Sequence, residues 1–103
     1  MIGKIHERID RTGKKTIIVG ICDKNLLGKK LKQGEVVLDL EKHRDFYQGK
    51  GLTPELAGEW ILQGRNLNLV GEKTIAAARK VMKIDEGRLK RIKGVPHLQV
   101  YYL

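Results

Sequence analysis

Apolar and polar residues alternate near both ends of this chain, and helical spacing takes over in two stretches between them. Ile5, Glu7 and Ile9 alternate with His6 and Arg8, and Asp10-Arg11-Thr12-Gly13-Lys14 supplies turn chemistry before the β-branched run Thr16-Ile17-Ile18-Val19. This pattern predicts a hairpin whose second strand, apolar without interruption, is central and buried on both faces. Asp23 reads as the cap of a short turn through Asn25, Leu26 and Leu27, closed by Gly28, with the basic cluster Lys29-Lys30-Leu31-Lys32 on a loop behind it. A third strand is expected over residues 35–40, with Val36, Leu38 and Leu40 on one face and Val37 and Asp39 on the other. The stretch from Glu41 to Gly51 mixes charge, two glycines and the pair Phe46-Tyr47, and reads as a loop anchored by aromatic side chains.

Thr53-Pro54-Glu55-Leu56 starts a helix. Thr53 is a capping residue, Pro54 sits where its missing N–H is harmless, and Glu55 suits the positive end of the helix dipole. Leu56, Ala57, Trp60 and Ile61 form its apolar stripe, and Gln63-Gly64 ends it. The strand Asn66 to Val70 then leads through Gly71 into a second helix running to about Lys83, with Ile75, Ala78, Val81 and Met82 inward and Arg79, Lys80 and Lys83 outward. A strand over Leu89 to Ile92 follows, and Gly94-Val95-Pro96-His97 turns the chain into a last strand ending Tyr101-Tyr102-Leu103. The order ββ, β, α, β, α, β, β predicts an α+β fold: one domain over residues 1–103, with two helices packed on one mixed sheet.

The chain has 103 residues, enough for one core and too few for two. Hydrophobic residues at 41% against 32% charged place it with folded domains rather than disordered chains. No apolar run reaches the roughly 20 residues of a membrane span, so a cytoplasmic protein with no membrane partner is the expectation. Cys22 is the single cysteine, which excludes an internal disulfide, and the scattered His6, His43 and His97 spell no metal site. No cofactor motif and no catalytic set emerges.

Charge changes the picture more. Lys and Arg number 21 against 12 Asp and Glu, a net charge of +9, which favours polyanionic partners. The run Arg79, Lys80, Lys83, Arg88, Lys90, Arg91 and Lys93 suits a phosphate backbone, joined by Lys29, Lys30 and Lys32 if their loop folds alongside; strand alternation divides it between two faces. Specific contacts are expected at two constrained turns. In Asn68-Leu69-Val70-Gly71-Glu72, Gly71 permits close approach to helix N–H groups, although Glu72 would repel a phosphate there. In Gly94-Val95-Pro96-His97, Pro96 holds Val95 extended and presents His97 at a strand start.

These segments, with Cys22-Asp23-Lys24-Asn25-Leu26-Leu27-Gly28-Lys29 and the Phe46-Tyr47 loop ending at Gly49, resemble the archaeal family called domain of unknown function 424. The resemblance spans the chain from about Thr16 onward. It implies an archaeal, cytoplasmic, single-domain protein, carries no established activity, and leaves a link to translation as a loose expectation. The leading functional expectation is a non-enzymatic module for RNA or a ribonucleoprotein. One alternative is a small-ligand or enzymatic site between the Asn68–Glu72 junction and His97. Another is a protein-interaction subunit, or a homodimer, built on Leu98 to Leu103 as a sheet-edge strand.

Overall fold

The computed structural model describes residues 1–102. The predicted N-terminal hairpin is formed by β1 (Ile2–Ile9) and β2 (Lys15–Cys22), paired antiparallel from Ile2 opposite Cys22 to Ile9 opposite Lys15. Asp10 builds its turn: Oδ1 accepts from the backbone N–H groups of Thr12 and Lys14, both at 2.9 Å, and from the Thr12 hydroxyl at 2.6 Å. These bonds, that of the Thr12 hydroxyl above all, hold the Asp10 carboxyl below its usual range.

The next segment departs from expectation. Lys30 does not lie on a loop: β3 (Lys30–Gln33) pairs antiparallel with β4 (Val36–Asp39), and this hairpin forms a two-stranded sheet apart from the main one. The basic residues here alternate with Leu31, which packs on buried Leu38 and Leu40, and that half-buried face is enough to hold a short strand pair. The supposed loop after it holds a one-turn helix, α1 (Arg44–Tyr47), and a two-residue strand, β5 (Lys50–Gly51), on the outer edge of β1. Its aromatics anchor it as predicted, with Tyr47 buried and Phe46 partly so.

The remaining elements are α2 (Pro54–Gln63), β6 (Asn66–Val70), α3 (Glu72–Val81), β7 (Lys90–Ile92) and β8 (Val95–Tyr101). Thr53 caps α2 by accepting the Leu56 N–H at 3.1 Å. The six-stranded mixed sheet has the order β5-β1-β2-β6-β8-β7, with β2 and β6 parallel and central. The tight β7–β8 hairpin covers Val95 to His97, and the expected edge from Leu98 starts beyond it. Both turn residues of that hairpin, Lys93 and Gly94, adopt positive φ, the conformation that matches strand twist. Beyond His97 no strand flanks β8 on that side among the described residues. Tyr101 and Tyr102 are 58% and 46% exposed, and Leu103 lies outside the described residues.

Strand alternation sends two sets of side chains to opposite faces. On one face Val19, Ile21, Leu67, Leu69 and Leu98 meet Ala57, Ile61, Ile75 and Ala78 of α2 and α3, and Trp60 packs on their margin. On the other, Cys22 and Val70 are covered by Leu26, Leu38, Leu40, Tyr47 and Ile92. Helices thus cover one whole face, whereas the small hairpin and α1 cover one end of the other.

The start of α3 is held by a residue from another element. Asp23, 7% exposed at the end of β2, accepts from Lys73 N at 3.1 Å, Thr74 N at 2.9 Å and the Thr74 hydroxyl at 2.8 Å. Gly71 precedes the helix at φ 111°, and a Cβ there would overlap the Asp23 carboxylate. Asp23→Ala is expected to cost about 2 to 4 kcal/mol by orphaning buried donors, and Asp23→Asn distinctly less, because Oδ1 still accepts from Thr74. Gly71→Ala should destabilise through backbone strain and the clash together. Denaturant midpoints at unchanged slope check all three.

Candidate functional site

On the sheet face away from the helices, the register sets polar side chains in rows. Val70 pairs with Cys22 and His97, and His97 pairs with Lys90. In the next row Gly20, Asn68 and Gln99 are neighbours, and in the third Ile18, Asn66 and Tyr101. Gln99 Nε2 donates to Asn68 Oδ1 at 2.9 Å, tying the two amides together. This face is half-buried to exposed from Asn68 through Gln99 to Tyr101.

One wall over these rows is α1. The His6 ring stacks on Phe46 with centroids 4.5 Å apart and planes 12° apart, and His6 Nε2 donates to the Phe46 carbonyl at 2.9 Å. Phe46 in turn meets Tyr47 edge-on at 5.0 Å. Gly20 makes this seating possible, since any Cβ there would collide with the Phe46 ring.

Between this wall, β4 and the sheet lies a cavity of about 330 Å³. Val37, Leu38, Phe46 and Tyr47 line it with apolar surface; Asp39, His43, Asn68, His97 and Gln99 bring polar groups to it. A second cavity of about 340 Å³ adjoins it, sharing His97 and Gln99 and adding Arg88, Lys90 and Tyr101. The two are open on one side and meet at His97.

His97 is the group most altered by its position. Its Nε2 is buried and has no hydrogen-bond partner among the described residues. Burial first, and the Lys90 ammonium second, lower its pKa from the ordinary 6.5, so the ring is neutral at pH 7. Asp39 is held below the usual carboxylate range, chiefly by the Lys42 N–H, which Oδ1 accepts at 2.8 Å along with that of Glu41 at 3.2 Å. The second oxygen, Oδ2, is not part of that turn. Cys22 lies beneath the same face, fully buried, with its thiol pushed up to about 11 by burial and by Asp23, and is unreactive packing.

The candidate residues separate into groups. Asn68 and His97 share the first cavity, so the two constrained turns lie on one side of the domain. Gly71, Glu72, Gly94 and Pro96 surround a smaller recess of about 140 Å³ beside Asp23, past the last β6–β8 pair, Val70 with His97. Asp23 takes the N–H groups of Lys73 and Thr74, Gly71 N donates to the Pro96 carbonyl at 2.9 Å, and the Glu72 side chain is bound by Arg91 Nη1 at 2.8 Å.

The basic residues also divide. Arg88 and Lys90 line the second cavity. Lys80 and Lys83 stand at the end of α3, Lys29 and Lys30 at the start of the β3–β4 hairpin, and Arg91 is engaged with Glu72 and the Gly94 carbonyl. Sequence reasoning passes over His43 and Gln99. The alternation Leu98-Gln99-Val100-Tyr101 carries a signal for Gln99, since it marks a strand with one polar face.

A lowered His97 pKa has a definite pH consequence. Between the lowered value and about 6.5 the unfolded chain binds a proton that the folded one does not, so stability falls as pH falls through that window and levels off below it. His97→Gln should flatten this part of the stability profile. An NMR titration of the native protein should place the His97 midpoint below 6.5.

Among solved structures, the crystal structure of an uncharacterized conserved protein from Methanopyrus kandleri is similar over 99% of this chain and 90% of that chain, at 28% sequence identity and a TM-score of 0.74. No curated protein matches the chain. The family model described as protein of unknown function (DUF424) matches residues 10–103, from the β1–β2 turn through the last strand. The chain therefore belongs to the DUF424 family.

Proposed function

We propose that this protein is a non-enzymatic binding module that takes an unpaired segment of RNA, free or within a ribonucleoprotein, across the polar face of its sheet. The observation that carries the reading is the meeting of two unlike cavities at His97: one walled by aromatic and amide groups, the other lined by Arg88 and Lys90. Unpaired RNA presents bases that stack on aromatic rings and hydrogen-bond at their edges, joined by phosphates that seek cations. The net charge of +9 adds a long-range attraction to such a polyanion. Lys29, Lys30, Lys80 and Lys83 lie outside the cavities and contribute to this general field; Arg91 contributes less because Glu72 neutralises it. An archaeal, cytoplasmic and translation-related setting belongs to the same reading, on the strength of the family resemblance.

A specific observation favours a second reading, a site for a small ligand. Asn68 and His97 line one cavity, and it is large enough for a single planar molecule. Catalysis has less support. A general base needs a group that orients it, and no side-chain carboxylate hydrogen-bonds the His97 ring among the described residues.

Binding of labelled RNA, measured across a salt series, tests the first reading. Affinity should fall with rising salt yet remain measurable near physiological strength, with unpaired RNA preferred over duplex DNA. The pair Arg88→Glu and Lys90→Glu should weaken it about tenfold or more and reduce the salt slope by roughly one for each phosphate no longer neutralised. Binding that ignores salt, or that this double variant leaves unchanged, would overturn the reading.

A further inference from the structure

The two cavities differ in charge as well as in lining. Asp39 is the acidic residue lining the first, where no Lys or Arg does among the described residues, although the cross-strand partner of Asp39, Lys30, stands close enough to help hold its carboxyl low. The second holds Arg88 and Lys90 with no acidic lining residue among those described, although the exposed Arg88 guanidinium also lies 3.8 Å from Asp85 Oδ2. From Asp39 past His97 to Lys90, the lining therefore changes from one with an acidic residue to one with two basic residues. A nucleotide has the matching polarity, with a base edge that donates from amino groups at one end and a phosphate at the other.

We infer that the joined cavities form one nucleotide subsite, with the base in the first, the phosphate on Arg88 and Lys90 in the second, and Asp39 selecting bases that carry an exocyclic amino group. This inference rests on the RNA reading for its macromolecular source and on the cavity pair for its chemistry.

Asp39 can act as a selector because its two oxygens have different duties. Oδ1 accepts from the N–H groups of Glu41 and Lys42, which orients the carboxylate as a backbone turn would. Oδ2 is left to accept from a ligand. A carboxylate is an acceptor only, so it pairs with the amino groups of adenine, cytosine and guanine. Uracil has none, and its single Watson–Crick N–H is flanked by two carbonyl oxygens that a carboxylate repels. The same negative charge keeps phosphate out of the first cavity and so sets the direction of the nucleotide. His97 and the linked amides of Asn68 and Gln99 lie between the two ends, where they can bond further base edges or the ribose.

The test compares labelled oligoadenylate, oligocytidylate and oligouridylate octamers at physiological salt, on wild type, Asp39→Asn and the double variant Arg88→Glu with Lys90→Glu. The corresponding free nucleoside monophosphates are titrated in parallel by calorimetry. The amide introduced by Asp39→Asn keeps an oxygen for the turn, and matching melting temperatures confirm that the comparison is between folded proteins. Wild type should prefer the adenine and cytosine octamers over the uracil one by about tenfold, the scale of one base-edge hydrogen bond. Asp39→Asn should bring the three within about twofold, since an amide also donates to uracil carbonyls. The double variant should weaken all three alike.

Oligonucleotide binding with no base preference, or with a preference that Asp39→Asn leaves intact, overturns the subsite and leaves the RNA reading standing. Monophosphates that bind with the amino preference while octamers do not would uphold the subsite and overturn RNA as its source. If neither octamers nor monophosphates bind, both fail.

Discussion

One carboxylate ties the centre of this fold together. Asp23 follows β2 and caps α3, which lies fifty residues further along the chain, by accepting from Lys73 and Thr74. A helix start has N–H groups without intrahelical partners, and a carboxylate there satisfies both hydrogen bonding and the helix dipole. Because Asp23 N also donates to Val70 O, and Gly71 N donates to Pro96 O, the ends of β2, β6 and β8 are held around the same point. The register that follows puts Asn68 beside Gln99 and Val70 beside His97. Remove the cap, and the strands that carry the polar face lose their common anchor. The same bonds dispose of the anion-binding potential of the helix start, since the protein's own carboxylate already occupies it.

The sheet divides its labour by face. Two helices bury one side almost wholly with aliphatic side chains, which supplies most of the apolar burial that drives folding. The other side is covered only at one end, by the β3–β4 hairpin and α1, and the edge of that partial cover is where the cavities form. A sheet with both faces fully packed would have no room for Asn68, Gln99 and His97 to meet a ligand. Gly20 matters here for a steric reason: its missing side chain lets Phe46 lie on the sheet and so sets the height of the cavity wall.

Much of this is legible in the residues. Thr53-Pro54 marks the start of α2, and the alternation Asn66-Leu67-Asn68-Leu69 marks a strand with one polar face. The apolar run Ile17 to Cys22 marks a central strand. What is not legible depends on chain separation. Asp23 reads locally as the cap of a short turn, and nothing nearby announces that it reaches Thr74. Asp39 and His43 become neighbours of His97 only because a hairpin of four-residue strands folds over the sheet from more than fifty residues away. The basic cluster at Lys30 reads as a loop because its charges mask the half-buried Leu31 that makes it a strand.

The chain's charge illustrates why composition alone cannot find the site. Its basic residues are spread over both faces and the hairpin, and several are already answered: Lys15 by Glu7, Arg79 by Glu86, Arg91 by Glu72 and, at a longer 3.8 Å, Arg88 by Asp85. Such exposed pairs add little stability, but they do reduce the local field a polyanion would meet. Arg88 and Lys90 differ in position rather than in kind. They stand next to a neutral, largely buried histidine and a pair of linked amides, where a cation is useful to a ligand that must be oriented as well as attracted. Lys90 also helps keep His97 neutral, so the ring beside the cationic cavity retains a lone pair for hydrogen bonding instead of adding a third positive charge. General attraction therefore comes from the whole surface, whereas discrimination requires the few polar groups that the incomplete cover of one sheet face leaves accessible.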